Sequence, residues 1–189
     1  MHQESRSHIN PVQLHLLVLR CQAGDEQAFF DLYHIYKEPT HRYLNGLLDA
    51  GTAEDVHQEV WLTVYQKIRN LANPKAFRTW LYQTTRFRAI DYLRKEQRES
   101  ALLDNFKEET EQPHIYEEEP LIEKDHSQLL EAMERLSPKH RDVLMLLYWE
   151  QMSYEEIALI VGSPVGTIRS RIYQAKDKLK QTLEEHHND

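Results

Sequence analysis

Four cations and several small polar side chains occupy residues 163–179, SPVGTIRSRIYQAKDKL. An arginine guanidinium can donate two hydrogen bonds to guanine, and hydroxyl and amide side chains can bond several base edges in the major groove of DNA. Lysine ammonium groups suit the phosphates of the backbone. The chemistry that these residue types allow is therefore the recognition of double-stranded DNA.

The same stretch has an apolar residue at every third or fourth position, which predicts a helix with one inward face. The preceding SYEEIALIV predicts a shorter amphipathic helix in which Ser153 and Glu156 fit a capping box, and Gly162 supplies the turn between the two helices. This arrangement is typical of a helix-turn-helix, whose second helix can enter the major groove. The predicted inward stripe of that helix comprises Val165, Ile168, Ile172, Ala175 and Leu179.

The outward side of the second helix carries the candidate DNA-contacting residues. Residues 162–183 hold five cations and one anion, so this surface is positive although the chain has a net charge of −8. A solvated basic face on a packing helix is the alternative that the pattern leaves open. The candidate set is Thr167, Arg169, Ser170, Arg171, Tyr173, Gln174 and Lys176, with Lys176 better placed for a phosphate than for a base.

A second basic concentration covers residues 67–98, with nine cations and two anions. Five aromatic residues are interleaved with the cations, and aromatic rings can stack on unpaired bases while cations bind phosphates. Core packing is the alternative for each aromatic residue taken alone, and it is the interpretation we prefer for Trp80. The positive balance of the segment as a whole favours nucleic-acid binding.

The acidic charge of the chain lies almost wholly in its middle. Residues 99–126 carry ten anions and two cations, while residues 1–98 and 127–189 have balances of +2 and −2. The middle segment has low hydrophobicity and no helical stripe, which is typical of a flexible linker. The prediction is an all-α protein of two small helical domains, at 1–98 and 127–189, joined by the acidic flexible linker 99–126, with the helix-turn-helix in the C-terminal domain.

Composition excludes several classes of protein. The single cysteine cannot form a disulfide within the chain, and a reducing compartment fits. No apolar run approaches the roughly 20 residues that span a bilayer, and the N-terminus lacks the apolar core of a signal peptide. We expect a cytoplasmic protein without membrane insertion. With five glycines and few alternating β-branched runs, the chain is expected to be helical nearly throughout; Asp25 is expected to cap a helix that Pro39 ends.

Three segments together resemble the extracytoplasmic-function group of bacterial sigma factors, in the sigma-70 family. The segment AEDVHQEVWLTVYQKI resembles region 2.2 of that group, FRTWLYQTTRFRAIDYLRK resembles regions 2.3 and 2.4, and SYEEIALIVGSPVGTIRSRIYQAKDKL resembles region 4. The segments occur in the family's order and are separated by an acidic linker. The resemblance implies a non-enzymatic specificity subunit that binds core RNA polymerase and directs promoter-specific initiation.

The resemblance also implies roles for individual residues. Region 2.2 docks on the clamp helices of the largest polymerase subunit, and Asp55, Gln58 and Glu59 share the matching helical face. Region 4 contacts the flap of the second largest subunit and reads the −35 element, with Gln174 where relatives often have arginine. Regions 2.3 and 2.4 bind and melt the −10 element, with Phe87 where relatives often have asparagine. The residues implied at the −10 element are Arg86, Phe87, Arg88, Arg94 and Lys95.

Further implications concern partners. Members of the family are commonly held inactive by an anti-sigma factor, and in the family the acidic linker threads toward the RNA exit path, where its charge could stand in for RNA. A stand-alone helix-turn-helix regulator would explain residues 127–183 but not the two upstream segments. Eleven histidines raise the possibility of a metal protein or an enzyme, but the sequence has no HExxH motif, no paired cysteine ligands and no glycine-rich phosphate loop. No cofactor, metal or catalytic residue is therefore expected.

Overall fold

The computed structural model describes residues 9–101 and 126–185, and every regular element in those two ranges is helical. This confirms the predicted all-α class. The acidic linker predicted at 99–126 lies outside the described residues, except that its first three residues continue one helix and its last residue begins the next. The helices are α1 (Pro11–Gln22), α2 (Glu26–Asn45), α3 (Ala50–Lys67), α4 (Phe77–Ala101), α5 (His126–Glu134), α6 (Pro138–Leu144), α7 (Tyr154–Val161) and α8 (Val165–Glu185).

Helices α1 to α4 form an N-terminal group around a shared core. Two short 3₁₀ turns, Ile68–Asn70 and Pro74–Ala76, join α3 to α4. Cys21 is buried in this core, and burial, aided by the charge of Asp25, raises the pKa of its thiol to about 11. The largest fully buried side chains of the group are Leu32, Tyr43, Leu44, Phe77, Leu81 and Tyr82.

Helix α2 begins as predicted but does not end where predicted. The Asp25 carboxylate accepts the Ala28 N–H at 3.0 Å, which confirms the cap. The prediction that Pro39 ends the helix is wrong, because α2 continues to Asn45. The Thr40 hydroxyl donates to the Tyr36 carbonyl at 2.7 Å, and the residues beyond Pro39 include three that are buried. Packing of this last part against the core therefore maintains the helix across the proline.

Helices α5 to α8 form a C-terminal group. A π-helical turn, Met145–Trp149, continues α6. Arg141 of α6 links the first two helices of this group. Its guanidinium donates to the carbonyl of Met133, in α5, at 2.9 Å and to the carbonyl of Leu136, in the turn after α5, at 3.1 Å. The largest fully buried side chains here are Leu144, Leu146, Ile157, Ile168, Ile172 and Leu179.

The two groups pack against each other, mainly through α4 and α7. The contact is polar as well as apolar. Arg86 of α4 pairs with Asp142 of α6 at 2.7 Å, and the Gln83 amide donates to the Leu159 carbonyl at 2.9 Å. Helix α4 therefore has one side against the C-terminal group.

Candidate nucleic-acid interface

The turn between α7 and α8 has the geometry of a helix-turn-helix corner. Ser153 and Glu156 form the predicted capping box at the start of α7. Gly162 adopts a left-handed conformation, with φ 73° and ψ 37°, directly after the helix. The N–H groups of Gly162 and Ser163 both bond the Ala158 carbonyl, at 2.9 and 3.1 Å, which closes α7 and redirects the chain into α8.

Helix α8 buries four of the five residues of the predicted stripe, and the fifth, Val165 at the start of the helix, is partly buried. The side chains of Ile168, Ile172, Ala175 and Leu179 are at most 1% exposed, as the 3.6-residue period requires. Of the seven candidate residues, the structure leaves two exposed, Arg169 and Tyr173, and places five at intermediate exposure: Thr167, Ser170, Arg171, Gln174 and Lys176.

Two cations of α8 lie over aromatic rings of the same group. The guanidinium carbon of Arg169 is 5.9 Å from the centre of the Tyr154 ring, and the ammonium nitrogen of Lys176 is 5.6 Å from the centre of the Tyr148 ring. A cation at this distance is attracted by the ring face, which restricts the range of side-chain positions. Both positive groups are thus held beside the outward side of α8.

The five candidate residues on α4 do not lie on one face. Phe87, which is 64% exposed, and Arg94 lie on one side of the helix. Arg88 and Lys95 lie on another side, where Lys95 pairs with Asp91 at 3.1 Å. Arg86 points to the C-terminal group. Of the five, Phe87, Arg94 and Lys95 are therefore exposed, whereas Arg86 is bound to Asp142.

The outer side of α3 is a continuous exposed stripe. Asp55, Gln58 and Glu59 are all exposed, as their spacing predicts, and the stripe continues toward the end of the helix through Leu62 and Tyr65, which are 58% and 52% exposed. Acidic and polar groups thus occupy its start and apolar groups its end. Such a mixed stripe can contact both the charged and the apolar positions of another helix.

Beneath this stripe, α3 is fixed to α2 by a buried polar group. The Trp61 Nε1–H donates to His57 Nε2 at 3.0 Å, and the Thr40 hydroxyl lies 3.1 Å from the same nitrogen. His57 is buried, and that burial, followed by the charge of the nearby His41, lowers its pKa. Thr40 of α2 thus contacts both polar groups of α3, because the Trp61 Nε1–H also lies 3.3 Å from its hydroxyl oxygen. These contacts between the two helices restrict the rotation of α3 and hence the direction of its exposed stripe.

Several residues that position or extend these surfaces are not among the candidate residues identified in the sequence. Asp142 and Glu150 are buried carboxylates, and both contact α4. Asp142 stands beside the apolar run VLMLL, and an acidic residue next to such a run is a signal that could have indicated a buried partner. Leu62 and Tyr65 could have been found by extending the helical face of Asp55 by two turns.

Neither a metal site nor a membrane-spanning helix is found in the part of the chain that the structure describes. Over residues 9–101 and 126–185, no group of three or more histidine, cysteine or acidic side chains could hold a metal ion. None of the helices in these ranges is both long and apolar enough to cross a membrane.

Comparison with known proteins identifies the class to which this fold and these surfaces belong. The family model described as "Sigma-70 region 2" matches residues 32–99, and the model described as "Sigma-70, region 4" matches residues 126–179. The two matches cover the helices that carry the α3 stripe, the cations of α4 and most of α8. The chain therefore belongs to the sigma-70 family.

Individual relatives show which members of the sigma-70 family this chain is similar to. The RNA polymerase sigma-H factor of Pseudomonas aeruginosa is 32% identical over 181 residues, which cover 89% of this chain and 92% of that protein. The ECF RNA polymerase sigma factor SigW of Bacillus subtilis is 28% identical over 177 residues, which cover 88% and 94%. A solved structure of the sigma factor RpoE in complex with the anti-sigma factor NepR, from Bartonella quintana, has a TM-score of 0.64 and 25% identity and covers 82% of this chain and 96% of that one.

These relatives place the chain in the extracytoplasmic-function group of RNA polymerase sigma factors. Proteins of this group are transcription initiation factors that act with RNA polymerase at promoters, and they are not enzymes. The resemblance noted in the three sequence segments is thereby confirmed at the level of the family.

Proposed function

We propose that the chain brings core RNA polymerase to a promoter by reading the −35 element with α8 and by binding and melting the −10 element with α4. The observation that carries this proposal is the outward side of α8, which follows a left-handed glycine turn and presents Arg169, Tyr173 and Lys176 on one face. In a helix-turn-helix this is the surface that enters the major groove. Arginine can read a base edge there, while lysine binds phosphate.

The −10 element is assigned to α4. Its melted strand exposes unpaired bases, and Phe87 offers an exposed ring on which one of them can stack. Arg94 and Lys95 supply positive charge for the adjoining phosphates, and Arg88 lies beside them. Arg86 joins this set only after its contact with Asp142 is released.

The exposed stripe of α3 is assigned to the polymerase. Asp55, Gln58 and Glu59 complement a basic coiled coil such as the clamp helices of the largest subunit, and Leu62 extends the contact with apolar surface. The C-terminal group is assigned to the flap of the second largest subunit. We assign residues 1–98 to binding of core polymerase and the −10 element, and residues 127–189 to binding of the −35 element. Residues 99–126 are assigned as an acidic linker in the RNA path.

An anti-sigma factor is the proposed regulator. The Bartonella quintana relative was solved in complex with such a factor, and that complex supports the same class of partner here. The chain is proposed to act in the cytoplasm, where polymerase and promoter DNA are found.

Run-off transcription with purified core polymerase tests the function. The template is a promoter library randomised at both elements, and we expect transcripts to be enriched for one −35 and one −10 sequence. Matched templates with either element scrambled should lose the transcript. Failure to bind core, together with tight sequence-specific DNA binding by the chain alone, would instead indicate a stand-alone helix-turn-helix regulator.

A further inference from the structure

The outward side of α8 has a cation on each flank. Lys176 and Lys178 are two residues apart, so they lie about 200° apart around the helix. Arg169, Ser170 and Gln174 lie between these flanks, and the buried stripe occupies the rest of the helix surface. In the major groove, phosphates line both walls and base edges form the floor. Cations on both flanks therefore suit the walls, and the residues between them face the bases.

Asp177 limits the part of α8 that can approach DNA. It is exposed on the outward side, one turn beyond Tyr173, and its carboxylate accepts from the Gln181 amide at 2.9 Å. A carboxylate is repelled by the phosphates that line the groove. The DNA-facing part of α8 therefore ends before Asp177. Lys178 can still act beside the preceding turn, because long side chains of a helix extend toward its N-terminus.

Gln174 is the last uncharged polar residue of this DNA-facing part, and its amide is not used within the protein. Over residues 9–101 and 126–185, its side chain makes no hydrogen bond, ion pair or ring contact. Its neighbours on the same side are engaged, since the Ser170 hydroxyl donates to the Thr167 carbonyl at 3.0 Å and Gln181 donates to Asp177. Gln174 therefore keeps an acceptor and two donor hydrogens for a ligand.

A glutamine amide matches one base edge in the major groove. Adenine presents an N6 donor beside an N7 acceptor, and glutamine can bond both, with Oε1 accepting from N6 and Nε2 donating to N7. Guanine presents two acceptors, O6 and N7, so Oε1 of the same amide would face O6 with no hydrogen between them. Cytosine N4 and thymine O4 each offer a single polar group. The amide therefore favours adenine.

We propose that Gln174 is a base-reading residue that selects adenine at one position of the −35 element. The proposal rests on the proposed function, because it takes α8 as the −35-binding helix. Gln174 follows Arg169 by five residues, which corresponds to about 7.5 Å along the helix axis. With α8 lying along the groove, that distance spans about two base pairs at about 3.4 Å each. Gln174 and Arg169 therefore select bases at different positions.

Two substitutions test the hydrogen bonds of the amide. Gln174→Arg replaces it with a guanidinium, which has donors only and matches O6 and N7 of guanine. Gln174→Met keeps a side chain of similar length but removes the amide donors and the amide acceptor. Both changes lie outside the buried stripe of α8, so circular dichroism should show an unchanged helical signal.

Gln181 supplies the matched control. It is exposed two turns beyond Gln174, on the same side of α8, and it lies past Asp177. Gln181→Arg therefore adds the same charge to the same side of the helix, outside the part that faces the groove. Any gain in affinity from this charge applies to all sequences alike. The preferred base at each −35 position should stay that of the wild type.

The main measurement is run-off transcription by the full-length chain with core polymerase, from a promoter library randomised at the −35 element. At one position we expect the wild type to favour adenine over guanine by about tenfold. Gln174→Arg should favour guanine at that position, and Gln174→Met should favour neither base. The preferences at the other −35 positions should persist in both variants, because a general loss of folding or of DNA contact would alter all positions together.

A modified base tests whether the contact is direct. 7-Deazaadenine pairs with thymine as adenine does, but it has carbon in place of N7 and therefore lacks that acceptor. Fluorescence anisotropy gives the affinity of the polymerase-bound chain for promoter duplexes with either base at the adenine position. The modified base should weaken binding by the wild type several-fold and leave binding by Gln174→Met unchanged. Equal effects on the two proteins would show that Gln174 makes no hydrogen bond to N7 and would refute the proposal.

The outcomes separate this proposal from the function on which it rests. If the wild type directs transcription with a defined −35 preference that both Gln174 variants keep, Gln174 reads no base, and the proposed function stands. If the wild type supports no transcription with core, the proposed function is refuted and the adenine assignment falls with it. The same change of preferred base in Gln181→Arg and Gln174→Arg would show an effect of charge alone and would also refute the assignment.

Discussion

Glu59 Oε2 lies 3.5 Å from Arg88 Nη1 and so joins the outer stripe of α3 to α4. Arg88 Nη2 also donates to Thr63 Oγ1 at 3.1 Å. The surface proposed for polymerase and the helix proposed for the −10 element thus share one ion pair. Because the Glu59 and Arg88 side chains are 62% and 36% exposed, the pair contributes at most about 1 kcal/mol to stability. Substitutions at this pair therefore report on binding more than on folding.

The first prediction concerns the docking stripe of α3. Asp55→Arg combined with Glu59→Arg reverses both of its carboxylates, and we expect core polymerase binding to be abolished. The physical reason is like-charge repulsion against a basic coiled coil. Affinity for core is measured in a pull-down, and circular dichroism should show an unchanged helical signal because both residues are exposed.

The control for this prediction carries the same change of charge elsewhere. Glu26 and Glu38 are exposed on α2, and Glu26→Arg with Glu38→Arg should leave core affinity near that of the wild type. Equal loss of binding in both double variants would attribute the effect to net charge. Normal core binding by the α3 variant would refute the assignment of this stripe.

The second prediction separates base reading from phosphate binding on α8. Arg169 is exposed beside Tyr154, and Arg169→Ala is expected to relax the preference at one −35 position by about 1–3 kcal/mol. Lys176→Ala is expected to weaken all sequences alike and to reduce the salt slope by about one. The measurement is binding of −35 variants over a range of salt, with polymerase bound to the chain.

Two further variants complete this comparison. Lys180 is exposed further along the same helix, and Lys180→Ala should change neither the preference nor the salt slope. Arg171 lies at intermediate exposure, so Arg171→Ala is expected to affect base preference less than Arg169→Ala. An unchanged −35 preference in both arginine variants would contradict the major-groove assignment of α8.

The features that the sequence predicted correctly are those formed by residues close together along the chain. The inward stripe of α8 follows from the 3.6-residue repeat, and the capping box of α7 follows from the spacing of Ser153 and Glu156. Both features depend on residues within one or two helical turns of each other. The family resemblance added the order of the functional segments, which periodicity alone does not supply.

Long-range packing accounts for the features that local patterns missed. Pro39 has the local signature of a helix end, but burial of Tyr43 and Leu44 carries α2 beyond it. Arg86 has the local signature of a solvated cation, yet it pairs with Asp142 across a separation of 56 residues. Neither partner of such a pair changes the pattern of its own segment. The pairing therefore becomes visible only when the two helical groups are seen together.

The third prediction concerns pH and the buried His57. The pKa of His57 is lower in the folded chain than in the unfolded chain, where it is about 6.5. Below about pH 6.5 the unfolded chain therefore binds a proton at His57 more readily than the folded chain does. His57 therefore contributes stability that is present above that pH and is lost as the pH falls through its folded pKa. The groups around it are Trp61 and Thr40 in hydrogen-bonding contact and, as charges, His41, Glu38 and Glu54.

The variant that tests this linkage is His57→Gln, which keeps an acceptor for the Trp61 N–H but cannot titrate. Urea unfolding at about pH 7.5, 6.5 and 5.5 gives the pH dependence of the free energy of unfolding. The wild type should lose more stability on acidification than the variant, by up to about 1.4 kcal/mol per pH unit for one proton. Parallel profiles for the two proteins would show that His57 takes no part in the loss.

The fourth prediction uses two glycines that flank the start of α8. Added Cβ atoms at Gly162 and Gly166 would both lie in open space, so any effect on stability comes from the backbone. Gly162 has φ 73° in the left-handed region, where a Cβ costs about 1–2 kcal/mol. Gly166 lies within α8, where alanine is more stable than glycine by about 0.5–1 kcal/mol. Gly162→Ala should therefore lower the midpoint of urea unfolding, and Gly166→Ala should raise it.

The opposite signs make each variant the control for the other, because the added methyl group and the sequence neighbourhood are shared. The double variant should fall between the two single variants if the sites are independent. Gly166 also borders the proposed DNA surface, so DNA binding by Gly166→Ala with polymerase reports whether the groove tolerates a methyl group there. A stabilising Gly162→Ala would contradict the left-handed turn on which the placement of α8 depends.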